Sequence, residues 1–587
     1  MRSTTFARAG LSCALLLSAA WPAWATQQTV PCNAFLGSYI GGATITTAQL
    51  NAASATMPEH CEIVGAIDPH TGVDGQPYAI KFHLRMPTAW NQRFFYTGGG
   101  GSDGNLGDAS GPQLQQGYAV VSTDSGHDNA VNVSVLAGTY QFGFDPQARS
   151  DYGYNGPART TEVAKALLAR FYGKRPKYSY FVGCSEGGRE GLMFSQRYPD
   201  YFDGIVAGNP GIDLPKAAVA EAWDTQAFAG AARQNTPFGV PDLATSFTTD
   251  ELNTVGNAIL QACDAQDGVV DGMVSNPAAC RFDPQRLGPA GTGALSAAQV
   301  SALEKVFGGA RNSRGRELYA GWFWDPGIAA PGWRIWKIGP LLPVPGNTSL
   351  NATLGGGALP FIFTTPPNSA TGGTALYGSS VVASSGPAYA SFPGLTDAYM
   401  PWVLSFNMDT DAPKIFARGN FGESAMEFMG TSSTDYRRFS RSGNKLIVYS
   451  GQADPVFSSK YHIHWYERLV DDNGGLRRTQ DFARLFVVPG MNHCGGGPAT
   501  SQFDAFAALV QWVERGKAPA SLLGTAGTDT PWPGRTRPLC AYPEHARYKG
   551  EGSVEDAANF ACVAPRDDDD HHHGHGGKGG GHDDERD

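Results

Sequence analysis

One serine of the chain lies in a pattern that is typical of a nucleophilic side chain. Ser185 is the centre of the string Gly183-Cys184-Ser185-Glu186-Gly187, which matches G-x-S-x-G. In hydrolases this motif is a sharp turn between a strand and a helix, and the turn exposes the serine oxygen. Here the apolar run YSYFV precedes the motif and GGREGLMFSQRYP, which has the composition of a helix, follows it. This setting predicts Ser185 as a nucleophile.

A serine hydroxyl needs a nearby base that removes its proton. His493 is the best candidate, because it lies in VVPGMNHCGGG, directly after the last predicted strand. A loop at the carboxyl edge of the sheet can place its imidazole over the serine. His462 and His464 lie in the helix-like stretch KYHIHWYERL and are expected to be structural, and His127 in TDSGHDNA is expected to form hydrogen bonds in a rim loop.

The base needs an acid that fixes its tautomer and stabilises its charged form. Asp454 follows the penultimate predicted strand in YSGQADPVF, which is the position such an acid requires. An Asp-Pro pair also initiates a turn by itself, and Asp471 or Asp472 could compete for the role. Position after the strand favours Asp454.

Hydrolysis through a serine also needs two backbone N–H donors for the oxyanion of the tetrahedral intermediate. The residue after the nucleophile, Glu186, is expected to supply one. The run Gly98–Gly101 directly follows a predicted strand and is expected to supply the other from Gly101 or a neighbour. A merely flexible loop is the alternative interpretation of the four glycines.

Elements that could position these residues alternate along the chain. A helix is predicted from Thr160, with Thr161 as its cap, and the segment from Phe503 predicts a helix near the carboxyl terminus. Alternation of strands and helices indicates a mainly parallel α/β sheet, and with the motifs it predicts an α/β-hydrolase fold. Apolar runs that read as strands begin at Ala79, Arg93, Tyr118, Tyr178, Lys445 and Arg484.

The alternation is lost for more than two hundred residues, which become rich in Gly, Pro, Ser, Thr and Trp. A large inserted lid therefore splits the predicted catalytic domain. Residues 1–25, with Arg2, Arg8, an apolar run and a closing Ala-Trp-Ala, are expected to be a signal peptide. The expected divisions are a signal peptide over 1–25, catalytic parts over 26–211 and 437–565, a lid over 212–436 and a disordered Asp, His and Gly tail over 566–587.

Charge and composition limit the classes of partner. The net charge of −10 without a basic patch argues against nucleic acid, and no later run reaches the roughly 18 apolar residues of a membrane span. Export leaves eight cysteines in an oxidising compartment once Cys13 is removed with the leader, so four disulfides are expected. Eight cysteines allow 105 pairings, and the sequence alone does not choose among them.

A short acidic segment is a candidate metal site. Asp264, Asp267 and Asp271 lie within ten residues that also contain two glycines. Hard oxygen ligands of this kind favour calcium. A run of Asp-Gly turns is an equally good interpretation of the spacing alone.

Several strings together resemble the tannase and feruloyl esterase family, which includes the mono(2-hydroxyethyl) terephthalate hydrolases. They are GCSEGGREG around Ser185, VPGMNHCGGGP around His493, MPEHC, GHDNAVN and CDAQDGVVDG. The resemblance extends to about residue 565 and implies hydrolysis of aromatic acid esters through an acyl-enzyme. It implies a structural calcium bound by the side chains of Asp264, Asp267 and Asp271 and the carbonyls of Val269 and Met273. It also implies the disulfides Cys32–Cys61, Cys184–Cys494, Cys263–Cys280 and Cys540–Cys562.

The resemblance places substrate contacts in the lid and acid loop, where Leu359, Trp402 and Phe457 are the candidate pocket walls. Members that cleave terephthalate monoesters resemble one another in a lid Arg, and the corresponding place here holds Trp402. No Lys, Arg or His occurs from Ile338 to Pro413. Neutral aromatic acyl groups are therefore the expected substrates, unless Arg189 or Lys337 supplies a cation or Trp402 is simply lid core.

Other functions remain open at this point. Cleavage of galloyl esters and hydrolysis of a terephthalate monoester are the nearest alternatives to a feruloyl esterase-like activity. A polyester depolymerase would need an open cleft rather than a large lid. A non-catalytic binding module of the same fold is less favoured, because all three positions of the triad are filled. The sequence does not determine the oligomeric state.

Overall fold

A ten-stranded sheet forms the centre of the protein. The structure, a computed structural model, describes residues 29–134, 137–237, 239–340, 348–368 and 400–565. The expected signal peptide and the expected tail lie outside these residues. Within the described ranges, no helix is long and apolar enough to cross a membrane.

The sheet has an antiparallel and a parallel part. Its strand order is β1-β2-β3-β4-β6-β5-β7-β8-β9-β10. Neighbours from β1 to β4 and the pair β4–β6 are antiparallel, whereas all neighbours from β6 to β10 are parallel. The strands are β1 (Tyr39–Ile40), β2 (Ala43–Asn51), β3 (His60–Thr71), β4 (Pro77–Pro87), β5 (Arg93–Thr97), β6 (Ala119–Thr123), β7 (Tyr178–Cys184), β8 (Gly204–Gly208), β9 (Lys445–Gly451) and β10 (Ala483–Val488).

Helices connect the parallel strands and form most of the long segment between β8 and β9. The longer ones are α1 (Gly156–Tyr172), α2 (Glu186–Arg197), α3 (Leu214–Ala229), α4 (Thr249–Cys263), α5 (Ala297–Gly308), α6 (Leu350–Ala358), α7 (Ser459–Asp472) and α8 (Ala505–Arg515). Shorter α-helices span Pro112–Gln115, Pro146–Ser150, Pro331–Lys337, Met400–Ser405, Ala425–Met429, Arg437–Arg441 and Leu476–Thr479.

The parallel strands are buried on both faces, which explains their nearly continuous apolar runs. Strand β8 is buried at every residue, and Tyr180 and Phe181 on opposite faces of β7 are both inaccessible to solvent. Helices α1, α2 and α7 cover one face and α8 covers the other. This packing fixes the carboxyl edge of β7, β9 and β10, where the candidate triad residues lie.

Helix α1 begins earlier than the sequence predicts. Its first residue is Gly156, with Pro157 in the first turn, where a proline costs no hydrogen bond. The expected cap Thr161 therefore lies inside the helix, and its hydroxyl donates to the carbonyl of Pro157 at 2.9 Å. The capping role expected for Thr161 is wrong.

The described part of the segment between β8 and β9 adds no strand to the main sheet. Helices α3 to α6 pack around two further apolar clusters, to which residues outside the segment such as Tyr140, Phe142 and Phe457 also contribute. Two small antiparallel sheets follow α8, formed by β11 (Ser521–Thr525) with β12 (Thr536–Cys540) and by β13 (His545–Tyr548) with β14 (Phe560–Val563).

Four disulfides connect the pairs that the family resemblance implies, namely Cys32–Cys61, Cys184–Cys494, Cys263–Cys280 and Cys540–Cys562. Three of them close short loops. Cys184–Cys494 joins residues 310 positions apart, with 6.1 Å between the Cα atoms. It therefore ties the end of β7 to the loop after β10.

Candidate active site

Ser185 occupies the turn between β7 and α2. Its backbone has φ +65° and ψ −121°, a conformation that non-glycine residues rarely adopt and that is found at functional sites. The helix can approach the sheet here because Gly188 has no side chain: a Cβ at this position would lie 2.2 Å from the carbonyl oxygen of Gly208. A second G-x-S-x-G string, Gly100–Gly104, lies shortly after β5, but no helix begins directly after it.

His493 and Asp454 form a hydrogen-bonded pair at the same edge of the sheet. His493 Nδ1 lies 2.9 Å from Asp454 Oδ2 and 3.1 Å from Oδ1. Because an ionised carboxylate only accepts hydrogen bonds, Nδ1 carries the proton and Nε2 has the free lone pair. Nε2 is buried and has no hydrogen-bond partner among the described residues. This is the tautomer that a general base requires.

Several donors keep Asp454 charged although it is fully buried. Burial raises the pKa of this carboxyl, but the nearby His493 and hydrogen bonds from His493, Val456 and Asn209 hold the pKa below its usual value. The Val456 N–H donates to Oδ1 at 2.7 Å, and the Asn209 amide donates to Oδ2. Asp454 can therefore orient His493 and stabilise its positive charge.

The competing acids and bases lie elsewhere. Asp471 and Asp472 are exposed at the end of α7. His462 is fully buried in the same helix, where Nε2 donates to the carbonyl of Pro210 at 2.7 Å and Nδ1 accepts from Ser450 at 2.6 Å. His127 is also buried and stacks on Phe142 with 3.7 Å between ring centroids.

The two residues expected to supply the oxyanion donors, Glu186 and Gly101, lie near Ser185. Glu186 is the first residue of α2, and Gly101 ends the glycine run after β5; both line a cavity together with Ser185. The loop is held by buried carboxylates, because Glu190 accepts from the N–H of Gly99 at 2.9 Å and Asp103 accepts from that of Gly100 at 2.8 Å. These two hydrogen bonds fix the backbone of the loop directly before Gly101.

The cavity at Ser185 is largely apolar. Phe457 lines it and contacts the His493 ring edge-on, with 5.5 Å between centroids; Trp336 does the same at 4.9 Å. The remaining lining residues are Gly101, Ser102, Tyr140, Tyr152, Glu186, Leu214, Glu221, Leu354, Gly355, Ala358, Ile362, Phe363 and Val456.

Of the three wall residues expected from the sequence, the structure places only Phe457 in this cavity. Leu359 is fully buried in the apolar cluster beneath the wall, and its neighbours Ala358 and Ile362 line the cavity instead. Trp402 is half-buried and packs against Phe406. Helix α6 ends at Ala358, and the turn that follows directs the Leu359 side chain into the core.

Neither of the alternative cations reaches the cavity. Arg189 is completely buried, donates to Glu186 Oε1 at 2.6 Å and to the carbonyls of Gly153 and Tyr152, and so has its guanidinium fully engaged. Lys337 is buried in an ion pair with Asp224. The described cavity lining therefore contains no Lys, Arg or His side chain.

The acidic loop after α4 folds on itself. Asp264 accepts from the N–H groups of Asp271 and Gly272, and Asp267 accepts from those of Val269 and Ser275. Burial, with a contribution from the nearby Asp271, raises the pKa of Asp264 and that of Asp267.

Asp271 pairs with Arg537. In the described residues, no three or more His, Cys, Asp or Glu side chains have the arrangement of a metal site. The loop thus offers oxygen donors of the type that calcium prefers, but they are engaged with amides and an arginine.

Three residues of the site carry no clear signal in the sequence. Asn209 comes directly after β8, just as Asp454 and His493 come after β9 and β10. Its position after a strand could therefore have identified it as a residue of the site. Trp336 and Glu221 lie in the segment between β8 and β9, where periodicity does not reveal which side chains face a cavity. Both would require the tertiary structure to be found.

The fold and this site define an α/β-hydrolase. A model of the tannase and feruloyl esterase family matches residues 61–339 and 402–563. The chain is 42% identical over 555 residues to a mono(2-hydroxyethyl) terephthalate hydrolase of Piscinibacter sakaiensis, covering 88% of this chain and 87% of the relative. It is 30% identical over 528 residues to a probable feruloyl esterase of Arthroderma benhamiae, covering 84% of each.

Among solved structures, feruloyl esterase B of Aspergillus oryzae superimposes with a TM-score of 0.67 at 22% identity, over 90% of this chain and all of that one. The chain belongs to the tannase and feruloyl esterase family, and it is a carboxylic ester hydrolase.

Proposed function

We propose that the protein is an exported serine esterase that cleaves esters of aromatic, hydroxycinnamic-type acids through an acyl-enzyme. Ser185 attacks the ester carbonyl while His493 Nε2 takes its proton, and Asp454 stabilises the imidazolium. The N–H groups of Glu186 and Gly101 donate to the oxyanion. His493 then protonates the leaving alcohol, and a water molecule activated in the same way releases the acid.

The observation that carries the aromatic substrate class is the wall of the cavity at Ser185. Trp336, Phe363, Phe457, Tyr140 and Tyr152 line it, so a planar ring can bury its faces against aromatic and aliphatic groups. The described lining contains no cation, and the sequence has no Lys, Arg or His from residue 338 to 413. Because burying an unpaired carboxylate costs several kcal/mol, the cavity favours an uncharged acyl group.

The role of Ser185 is tested by labelling with a fluorophosphonate and by Ser185→Ala. We expect one label per chain at Ser185 and a loss of activity of several orders of magnitude in the variant. Asp454→Asn should lose on the order of 10³ to 10⁴ in kcat, because the His493 tautomer is no longer fixed. Asp472→Asn is the matched control and should retain wild-type activity. Turnover near wild type in Ser185→Ala would contradict the mechanism.

The substrate class is tested by comparing kcat/KM for methyl ferulate, methyl gallate and a terephthalate monoester. We expect the ferulate ester to be preferred over the charged monoester. Terephthalate monoester hydrolysis is the second candidate, and the 42% identity to the Piscinibacter sakaiensis enzyme favours it. A clear preference for the charged substrate would establish that alternative.

A structural calcium is part of the same proposal. Side chains of Asp264, Asp267 and Asp271 and carbonyls of Val269 and Met273 would bind it, and the ion would offset the repulsion among the carboxylates. Export is likewise proposed: the pattern of residues 1–25 and four disulfides support it. Mass spectrometry of protein secreted by the native host would show whether the chain begins near Thr26.

A further inference from the structure

A buried carboxyl group lies in the wall of the cavity that contains Ser185. Glu221 is in α3, two turns after Leu214, and both side chains line the cavity. Glu221 is 3% exposed, and its Oε2 atom has no hydrogen-bond partner among the described residues. Buried polar groups without a partner are uncommon in proteins and call for a physical cause.

Helix α6 makes room for this carboxyl group. Gly355 faces α3, and a Cβ at this position would lie only 1.5 Å from Glu221 Oε2. Any other residue at 355 would displace the carboxyl from its place. The close packing of α3 on α6 therefore fixes Glu221 at the cavity wall, where Gly355 and Leu354 also lie.

Among the described residues around Glu221, none provides a free charge that could balance a carboxylate. The nearby ammonium group of Lys337 forms a buried ion pair with Asp224 and lies over the Trp322 ring, 3.6 Å from its centroid. Glu221 and Asp224 therefore have one cation between them, Lys337, and Lys337 pairs with Asp224. A second buried carboxylate would remain unpaired, which is far more costly than keeping its proton.

The pKa shifts of Glu221 and Asp224 agree with the presence of one cation, Lys337, for two carboxyl groups. Burial raises the pKa of Glu221 well above its usual value. Lys337 and the backbone N–H of Gly355 act in the opposite direction, and the nearby Asp224 and Asp454 raise the pKa further. Burial raises the pKa of Asp224 to about 6, even with Lys337 beside it, so Asp224 is charged at neutral pH. The charge balance and the raised pKa both favour the neutral carboxylic acid at Glu221, which has one O–H donor and a carbonyl oxygen that can accept a hydrogen bond.

A carboxylic acid complements a hydroxyl group, because each has one donor hydrogen and at least one acceptor oxygen. The aromatic walls around it suit a ring that carries such a hydroxyl. We propose that Glu221 is a specificity-determining residue that hydrogen-bonds a phenolic hydroxyl on the acyl ring of the substrate. This inference rests on the proposed aromatic esterase function and names the substituent that the enzyme distinguishes.

The inference is tested with two esters that differ by one hydroxyl, methyl 4-hydroxycinnamate and methyl cinnamate. Leaving a buried polar group unpaired weakens binding of the analogue that lacks the hydroxyl. We therefore expect the wild type to prefer the hydroxylated ester by about tenfold or more in kcat/KM. Rates are expressed per active site counted with the fluorophosphonate.

Two variants show whether the preference depends on a neutral hydrogen-bonding group at position 221. Glu221→Gln keeps a neutral side chain of the same shape with a donor and an acceptor, and should retain most of the preference. Glu221→Leu has neither and should lose it, mainly because the hydroxylated ester becomes a poorer substrate. Glu304→Gln, at an exposed position in α5, is the matched control and should behave as wild type.

The possible results distinguish an error in the role of Glu221 from an error in the proposed esterase function. Equal cleavage of the two esters by the wild type, or an unchanged preference in Glu221→Leu, overturns the role of Glu221 only. A better rate for a terephthalate monoester than for its uncharged methyl diester shows that the acid pairs with a carboxylate, and this also overturns it. Turnover of p-nitrophenyl acetate but of neither cinnamate ester overturns the aromatic substrate class together with this inference.

Discussion

The disulfide between Cys184 and Cys494 should contribute more to stability than any of the short ones. In the chain-entropy treatment, a crosslink removes conformational entropy from the unfolded chain, and the amount increases with the logarithm of the number of residues in the loop that it closes. Its loop spans 310 residues, compared with 22 for Cys540–Cys562. The corresponding contributions are about 5.7 and about 3.4 kcal/mol, a difference of about 2 kcal/mol.

The perturbation is the double variant Cys184→Ala with Cys494→Ala, compared with Cys540→Ala with Cys562→Ala. Removing both cysteines of a pair avoids a free thiol that could exchange. Equilibrium unfolding in urea gives the free energies, and the first variant should lose about 2 kcal/mol more than the second. It should also lose kcat on aromatic esters, because Ser185 and His493 are next to the bridged residues, whereas the second variant should retain wild-type kcat.

Two results would refute this reasoning. Equal losses of stability in the two variants would show that loop length does not determine the contribution of these bridges. Wild-type kcat in the variant without Cys184–Cys494 would show that noncovalent packing alone positions Ser185 against His493.

Two further predictions concern stability. If calcium binds at Asp264, Asp267 and Asp271, chelation should lower Tm while the intrinsic rate on a saturating ester changes less, and stability should rise with the logarithm of added calcium; an unchanged Tm and no calcium by elemental analysis would contradict the site. Burial lowers the pKa of His462 to about 4. Between pH 6.5 and 4 the unfolded chain therefore binds a proton that the folded chain does not. As the pH drops through this range, the free energy of unfolding decreases by about 1.4 kcal/mol per pH unit. The stability difference between wild type and His462→Gln should therefore narrow on acidification over this range in urea titrations, and a constant or growing difference would rule out a buried neutral His462.

The sequence predicts most of the parallel half of the sheet, because strands buried on both faces appear as continuous apolar runs. It does not predict β2 and β3. Strand β2 has many polar residues and an exposed face, and β3 contains Pro69. Such strands are defined by their antiparallel partners rather than by a local pattern.

Within the candidate site, too, some residues are predicted by the sequence and others depend on tertiary contacts. Ser185, Asp454 and His493 follow strands, and topology alone predicts that they lie at one edge. The cavity wall depends on which sides of α3 and α6 face each other, and that follows from tertiary packing. Glu221 and Asp224 would suggest a solvated helix face by their spacing, yet both are buried. The sequence misplaces Leu359 at the wall for the opposite reason, because an apolar residue in the lid does not reveal whether it faces core or cavity.

The pairing of β8 with β9 has a consequence for biosynthesis. Gly204 pairs with Lys445 in this register, so adjacent strands in the parallel part of the sheet come from distant parts of the chain. Contacts of such high sequence separation form late and slow the folding of a domain. Ser185 precedes the long intervening segment, whereas Asp454 and His493 follow it. A nascent chain therefore has no assembled triad until His493 has been synthesised, and the onset of activity reports that the two distant parts of the parallel sheet have come together.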